Sequence, residues 1–487
     1  MQPVVSAQAI RDAEQAWFAA HPGGDLMARA AHEVARAAAE LVSLAGWYAE
    51  PPEPVPDAPR VVLAVAGPGN NAGDALFALA ELPALVDSDL EFVVWRCAGV
   101  THAAGLAAAL AAGAREVDAA GALALAAHAA LVIDGVSGLG GRPGLDADVQ
   151  AVADAAADAG VPVLAVDLPS GLVADSHVAH PSFSATMTVT FIAHKLAHVA
   201  QPAASRCGLV RLADIGVAAP ASDLESIEEA DCTAWFPWPG ATSDKYARGV
   251  VGLDTGTDAY PGAAVLGAAG ALWSGAGMVR YAGPRRPADL VLAAHPNVVV
   301  AVDPDDPGRV QVWVCGSGWP GGDSARLDRR VGDGVPLVVD AGALDALPDA
   351  LPAGSVLTPH AGELARLLGV TRAEVETDPI GHARRAAAST GATVLLKGAS
   401  QYVVSPGGGV LVARPGLAWT ATAGSGDVLA GAVGTFLAAG LPPERAAALA
   451  ASLQAETSRV VASAPIPPER LAAEFARVID HWGANLP

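Results

Sequence analysis

The chain has 487 residues, 52% of them hydrophobic and 16% charged, with a formal net charge of −22 at pH 7. That length exceeds one compact domain and suits two, while no uninterrupted apolar run is long enough to span a bilayer. The acidic excess excludes the basic surface that nucleic-acid binding needs, so any phosphate must be held by backbone N–H groups and a few placed cations.

Lysine is scarce: Lys195, Lys245 and Lys397 are the only three among 29 basic residues, and each lies in a motif-like segment. The four cysteines, Cys97, Cys207, Cys232 and Cys315, are widely spaced and read as small buried side chains. The N-terminus lacks a basic stretch ahead of an apolar core, so a cytoplasmic location is expected.

Two helical patterns occupy residues 6–49, divided by the turn HPGGD at 21–25. The Pro-rich PPEPVPDAP (51–59) follows, then RVVLAVAG (60–67), a short apolar run that ends in glycine. Similar runs recur as EFVVWRCA (91–98), AALVIDGV (129–136), VPVLAVDLPSG (161–171), ATMTVTFIA (185–193) and CGLVRLADIGV (207–217). Continuously apolar strands separated by helix-length segments predict a parallel sheet covered on both faces. Residues 1–217 make this first unit, and the acidic, Pro-containing stretch 218–243 reads as a linker. A second unit, 244–487, is expected to place strands at 249–256, 310–318, 335–342, 393–398 and 401–408. Its helices are expected at 261–276, 361–369, 378–391, 426–440 and 442–458. The architecture is thus α/β, in two three-layer domains.

Polar residues of the first unit gather at strand ends. VAGPGNNAGDALFALA (65–80) turns from strand to helix through Gly67 and Gly69, and such a turn offers N–H groups to an anion. Ala72 breaks the GxGxxG spacing, and no Walker lysine follows. Asn70, Asn71 and Asp74 crowd the turn, either as ordinary turn and cap residues or as part of a polar pocket. Asp134 ends LVIDG, and Asp167 and Ser170 end LAVDLPSG. Ligands of open parallel sheets sit beyond the carboxyl ends of the strands. Such groups can hold a monovalent cation and offer a proton-transfer carboxylate.

The segments GPGNNAGDAL, DGVSGLGGRPG, VDLPSGLVADS, TVTFIAHK and GLVRLADIGV jointly resemble the epimerase domain for hydrated nicotinamide nucleotides, over roughly 5–217. The resemblance implies a Rossmann-like fold that interconverts the R and S forms of NADHX and NADPHX. It implies potassium (K+) at Asn71, Asp134 and Ser170, with Asp134 as the acid/base group and Gly69, Asn70 and Lys195 at the substrate end. Ala72 stands where the family usually has glycine, and its methyl is expected to crowd the phosphate turn.

In the second unit, TAGSGDVLAG (422–431) precedes a long apolar run. Gly424, Ser425 and Gly426 permit a tight turn whose amides converge on phosphate oxygens, aided by the helix dipole. Asp427 is either a helix cap or a base that takes a proton from a hydroxyl as its oxygen attacks a phosphoryl group. A fixed negative charge beside a phosphate cradle is costly, which favours the base. LLKGAS puts Lys397 and Gly398 at a strand end within reach of nucleotide phosphates. LTPHAGELARL (357–367) brings His360 and Glu363 to a helix start, as a cap with a surface Glu or as a wall of a substrate pocket. Gly256 begins a flexible turn, and Asp340 ends another strand.

Together SDKYARG, YPGAA, SGAGMVRYA, VVDAGAL, LTPHAGE, LLKGAS and TAGSGDVLAG resemble the ribokinase-like domain of ADP/ATP-dependent NAD(P)H-hydrate dehydratases, from about Asp244 onward. Related sugar, thiazole and vitamin kinases share the glycine–aspartate turn; LTPHAGE beside an epimerase-like unit favours the dehydratase. The resemblance implies that Asp427 activates the C6 hydroxyl of the S-hydrate for phosphoryl transfer from ADP (or ATP), with Mg2+ compensating charge. Loss of the phosphorylated oxygen then restores the dihydronicotinamide. Lys397, Gly398, Ala423, Gly424, Ser425 and Gly426 are implied around the nucleotide, and Gly256, Gly318, His360 and Glu363 around the hydrate. A homo-oligomer is implied as well.

Three segments depart from the family pattern. GSGWPGGD (316–323) sets Trp319 and Pro320 in a normally fuller glycine run, where the indole is expected to reshape or obstruct the site. ASLQAETSRV (451–460) lacks a usual histidine, and Asn297 replaces a usual acid. The expected function is bifunctional repair, in which one unit supplies the stereoisomer that the other consumes. The alternatives are a ribokinase-like small-molecule kinase and a nucleotide-binding pseudoenzyme.

Overall fold

The computed structural model describes residues 1–48, 60–86, 89–461 and 464–484, so the Pro-rich 51–59 lies outside the described residues. The chain divides into two compact units, Pro3–Ser222 and Asp223–Pro487 with Met1–Gln2.

In the first unit, parallel strands form one sheet. Across it run Arg115–Val117, Leu90–Arg96, Arg60–Ala66, Leu131–Gly135, Val163–Val166, Met187–Phe191 and Leu209–Ala213. Numbered by place within this sheet, the order is 3-2-1-4-5-6-7, the Rossmann-like arrangement, and it reverses between Arg60–Ala66 and Leu131–Gly135. Alternate side chains of a strand face opposite ways. Accordingly Val62, Ala64 and Ala66 join one core with Ile10, Val34 and Leu76, while Val61, Leu63 and Val65 join another with Ala122 and Val152. Helices Ala7–Ala20, Leu26–Tyr48 and Asn70–Glu81 cover the first face, and Ala119–Ala126 and Ala147–Asp158 the second. Ser6 caps the first helix by accepting the Ala9 N–H at 3.2 Å.

The second sheet runs from the edge strand Gln2–Pro3 through Leu224–Ser226, Val410–Val412, Tyr402–Val404, Thr393–Leu396, Val356–Leu357, Leu337–Val339, Val312–Cys315, Val250–Asp254 and Met278–Tyr281 to Val299–Val300. From Leu224–Ser226 onward its pairs are parallel except where Tyr402–Val404 lies antiparallel to both neighbours. The stretch 218–243, expected as a linker, holds the strand Leu224–Ser226 and the helix Glu229–Trp235. A three-residue strand is too short to show a period. The predicted helices are Gly262–Trp273, Ala361–Leu368, Pro379–Thr390, Ser425–Ala438 and Pro443–Val461.

Two of these helices meet at backbone contact. A methyl on Gly270 would lie 2.0 Å from the Val428 carbonyl oxygen, and one on Gly431 would lie 2.2 Å from that of Gly267. Thr435 Oγ1 donates to the Ala271 carbonyl at 3.0 Å across the same seam. This packing seats the start of Ser425–Ala438. Among the described residues no helix is long and apolar enough to cross a membrane.

Candidate active sites

Three neighbouring strand ends of the first unit bring Asn71, Asp134, Asp167 and Ser170 together. Asp134 is fully buried. Ser170 donates to it from Oγ at 2.6 Å and from its N–H at 2.7 Å, and the Val136 N–H donates at 3.2 Å. Burial pushes its carboxyl up to about 6, against the pull of these bonds. Asn71 Nδ2 donates to the Val166 carbonyl at 2.7 Å. Its Oδ1 faces Gly138, where a methyl would lie 2.6 Å from that oxygen and 2.9 Å from Asp167 Oδ2.

Asp167 has φ of 63°, a left-handed conformation rare outside glycine. Lys195 Nζ at 2.5 Å and Thr190 Oγ1 at 3.0 Å both donate to its Oδ1, leaving Oδ2 toward Gly138. Burial works against this carboxylate, but the Lys195 charge outweighs it and holds the pKa below the ordinary range. His198 fixes the backbone: its Nδ1 accepts the Lys195 N–H at 3.1 Å and its Nε2 donates to the Asp167 carbonyl at 2.8 Å. That ring is neutral, with burial and then Lys195 pushing it down to about 3. Lys195, expected at the substrate end, is instead buried as the ion-pair partner of Asp167. It stands four residues beyond the strand Met187–Phe191, as the N-cap of the short helix Leu196–Val199, and its ammonium turns back to Asp167 and Thr190. Gly69 and Asn70 are exposed at the start of helix Asn70–Glu81. Asp74 and Glu14 stand near Asp167, and burial followed by the Asp167 charge raises both.

In the second unit, neighbouring strands end in Gly256, Ser317, Asp340, Thr358 and Lys397, and helix Ser425–Ala438 begins against them. Gly424 caps that helix with φ of 95°, without any side-chain cap. Asp427 therefore does not serve as the cap. A methyl on Gly426 would lie 3.3 Å from Lys397 Nζ, so the ammonium sits against the glycine turn. Lys397 donates to Asp340 Oδ1 at 2.6 Å, and Asp340 also accepts from Thr358 Oγ1 at 2.8 Å and Ser317 Oγ at 2.9 Å. Burial opposes the ammonium, but Asp340 and Glu363 keep the Lys397 pKa raised. Burial, then the Asp340 charge, pushes Asp427 up to about 7 against Ser317 and Lys397. Sequence marks Asp340 only as a strand end; its hub role needs the neighbouring strands.

His360 and Glu363 form a reciprocal cap. His360 Nδ1 accepts the Gly362 and Glu363 N–H groups at 3.0 and 3.1 Å, while Glu363 Oε2 accepts the His360 N–H at 2.8 Å. Both residues cap the helix, but Glu363 is buried rather than on the surface, and over half of the His360 side chain stays exposed beside Lys397. Gly256 and Gly318 have φ of 75° and 72°. Their loops touch: a methyl on Gly318 would lie 3.0 Å from Gly256 Cα. Gly398 and Ala423 flank the turn on the surface.

Residues 251–479 match a family described as NAD(P)H-hydrate dehydratase, and residues 23–197 one described as YjeF-related protein N-terminus. The bifunctional NAD(P)H-hydrate repair enzyme Nnr of Mycobacterium leprae is 40% identical over 99% of this chain and 98% of its own length. The chain belongs to the bifunctional NAD(P)H-hydrate repair enzymes. An ADP-dependent (S)-NAD(P)H-hydrate dehydratase of Neisseria meningitidis is 37% identical, covering 48% of this chain and 84% of its own. Among solved structures, the ADP/ATP-dependent NAD(P)H-hydrate dehydratase from Bacillus subtilis, co-crystallized with ATP/Mg2+, has a TM-score of 0.50 and 25% identity. It covers 52% of this chain and 97% of its own, consistent with a ribokinase-like second unit.

Two sequence departures of this repair enzyme are taken up inside the fold. The Ala72 methyl, expected to crowd the phosphate turn, is fully buried in the helix–sheet core. Trp319 is tucked inward, 5% exposed, with the Arg326 guanidinium 4.2 Å over its ring, so it does not stand in the open site. In the segment without the usual histidine, Gln454 Nε2 donates to the Ser425 carbonyl at 2.8 Å and braces the glycine turn. Asn297 is exposed and nothing in the structure explains it.

Proposed function

We propose that the second unit dehydrates S-NAD(P)H-hydrate with ADP or ATP as phosphoryl donor, and that the first unit epimerises the R and S hydrates. The observation that carries this reading is Asp427, a carboxylate raised to about 7 beside an N–H turn and the Lys397 ammonium. A base with a pKa near the working pH suits removal of a proton from a hydroxyl. Asp427 takes the C6 hydroxyl proton as that oxygen attacks the terminal phosphoryl group, whose bridging P–O bond breaks to release AMP from ADP, or ADP from ATP. The amides of Gly424, Ser425 and Gly426 and the Lys397 ammonium stabilise the charge on the group in transfer. Gly398 and Ala423 border the nucleotide; Gly256, Gly318, His360 and Glu363 border the hydrate. The ring-nitrogen electrons then expel the phosphorylated oxygen from C6, and the released phosphate carries the hydroxyl oxygen away.

Among the described residues no group of three His, Cys, Asp or Glu could hold a metal ion, so Mg2+ fits only as a companion of the nucleotide, whose phosphate charge it offsets. In the first unit, Asn71, Asp134 and Ser170 present oxygen donors suited to K+, which when bound offsets negative charge near the substrate. Gly69 and Asn70 border that substrate, while Lys195 acts through Asp167. Asp134 is the acid/base group in this reading. A second reading is favoured by geometry: both Asp134 oxygens are engaged by Ser170, whereas Asp167 Oδ2 faces the Gly138 backbone. In that reading Asp134 serves the cation and Asp167 moves the proton. We place the activity in the cytoplasm, in a homo-oligomer.

The test is recovery of NADH absorbance from resolved S-hydrate, with ADP and ATP supplied separately. Nucleotide-dependent recovery is expected. A stable phosphorylated product without NADH would identify a kinase, and no reaction in a folded, nucleotide-binding protein would identify a pseudoenzyme.

A further inference from the structure

Two neighbouring loops of the second unit, 254–258 and 317–320, hold a charge arrangement that the steps above do not use. Asp254 is buried and accepts from two arginines of helix Ser324–Gly332. Arg326 Nε reaches its Oδ1 at 2.8 Å and Arg330 Nε its Oδ2 at 2.8 Å. Two guanidiniums share one carboxylate, so one positive charge is left uncompensated within the triad.

The two arginines differ in what else they hold. Arg330 Nη2 donates to the Ala282 and Pro304 carbonyls at 3.1 and 2.9 Å, fastening the adjoining strand end and loop. Arg326 Nη2 turns to the Gly256 carbonyl at 3.3 Å, where Gly256 meets Gly318, and its Nη1 has no partner among the described residues. The Trp319 ring lies 4.2 Å beneath the guanidinium. In the same two loops, Thr255 Oγ1 and Trp319 Nε1 are buried donors without a partner. Buried donors left unpaired cost free energy, and two in these adjoining loops leave this corner of the fold short of acceptors.

We propose that Arg326 binds an anionic phosphate of the hydrated dinucleotide, with Asp254 and Trp319 fixing the guanidinium beside Gly256 and Gly318. The proposal rests on the dehydratase reading of this unit. One edge of the guanidinium is tied to Asp254, and the planar fork leaves a second edge for phosphate oxygens. Trp319, which interrupts the glycine run, supplies the surface on which that fork is stacked.

The test compares Arg326→Gln, Arg326→Lys and Arg330→Gln in the full chain. Dehydration of S-NADHX with ADP is measured beside fluorescence titration with NADH, which carries the same diphosphate. Arg326→Gln is expected to raise KM for the hydrate about 10-fold or more and to weaken NADH binding at one of its sites to a similar degree. KM for ADP should stay within about twofold, and Arg326→Lys should recover part of the loss by keeping the charge. Arg330→Gln should lower Tm while KM for the hydrate holds. Unchanged KM and NADH binding in both Arg326 variants would overturn the proposal, as would equal rises in KM for hydrate and ADP. If the wild-type protein turns over no hydrate, the dehydratase reading fails, and the NADH titration still decides whether Arg326 binds the dinucleotide.

Discussion

Asp427 and Asp340 share a small volume with Lys397, and the balance among the three sets the pH at which Asp427 can act. The base must be ionised, so kcat/KM for dehydration should rise with pH through about 7 and level off above it. Asp340 raises the Asp427 pKa by repulsion and also occupies the Lys397 ammonium. Removing its charge in Asp340→Asn therefore lowers that pKa on both counts, and the acid limb of the profile should move to lower pH. Asp427→Asn should keep nucleotide affinity and lose about 10³-fold in kcat; near-normal turnover would end its role as base. In the first unit, Asp134→Asn and Asp167→Asn separate the two epimerase readings by R/S exchange. Loss in Asp167→Asn that K+ titration does not move, with loss in Asp134→Asn that added K+ partly restores, would assign the proton to Asp167.

The seam between Gly262–Trp273 and Ser425–Ala438 is what delivers Asp427 to the strand ends. Gly270 meets the Val428 carbonyl, one residue after Asp427, so a side chain there must push the start of helix Ser425–Ala438 away. Gly270→Ala should destabilise the second unit by about 1–3 kcal/mol and reduce dehydration, while R/S exchange stays near normal. Equal loss of both activities, or of neither, would contradict this placement. The same element shows how far a pattern can be read: the small residues of YPGAAVLGAAGALW announce a tight helix contact, but which helix they meet is not written in them. The short strands Val356–Leu357 and Val410–Val412 and the antiparallel place of Tyr402–Val404 are likewise decided by pairing partners.

At the scale of the molecule, two self-contained units divide the labour. A mixture of Asp134→Asn and Asp427→Asn chains should then convert both hydrate stereoisomers to NADH, although neither variant alone does so. Failure of the mixture, with each variant retaining its own remaining activity, would show that the intermediate must pass within one chain. The sequence by itself determined the alternation of strands and helices, the two α/β units and the glycine turn ahead of Asp427. Those features depend on local period, turn chemistry and the identity of residues within one segment. Only the tertiary structure decided that Asp340 holds Lys397, that Lys195 is buried against Asp167 and that Trp319 lies under Arg326. Each of those contacts joins strand ends or loops far apart in the chain, and the attraction between opposite charges or a cation and a ring acts only once sheet order has brought them within a few ångströms.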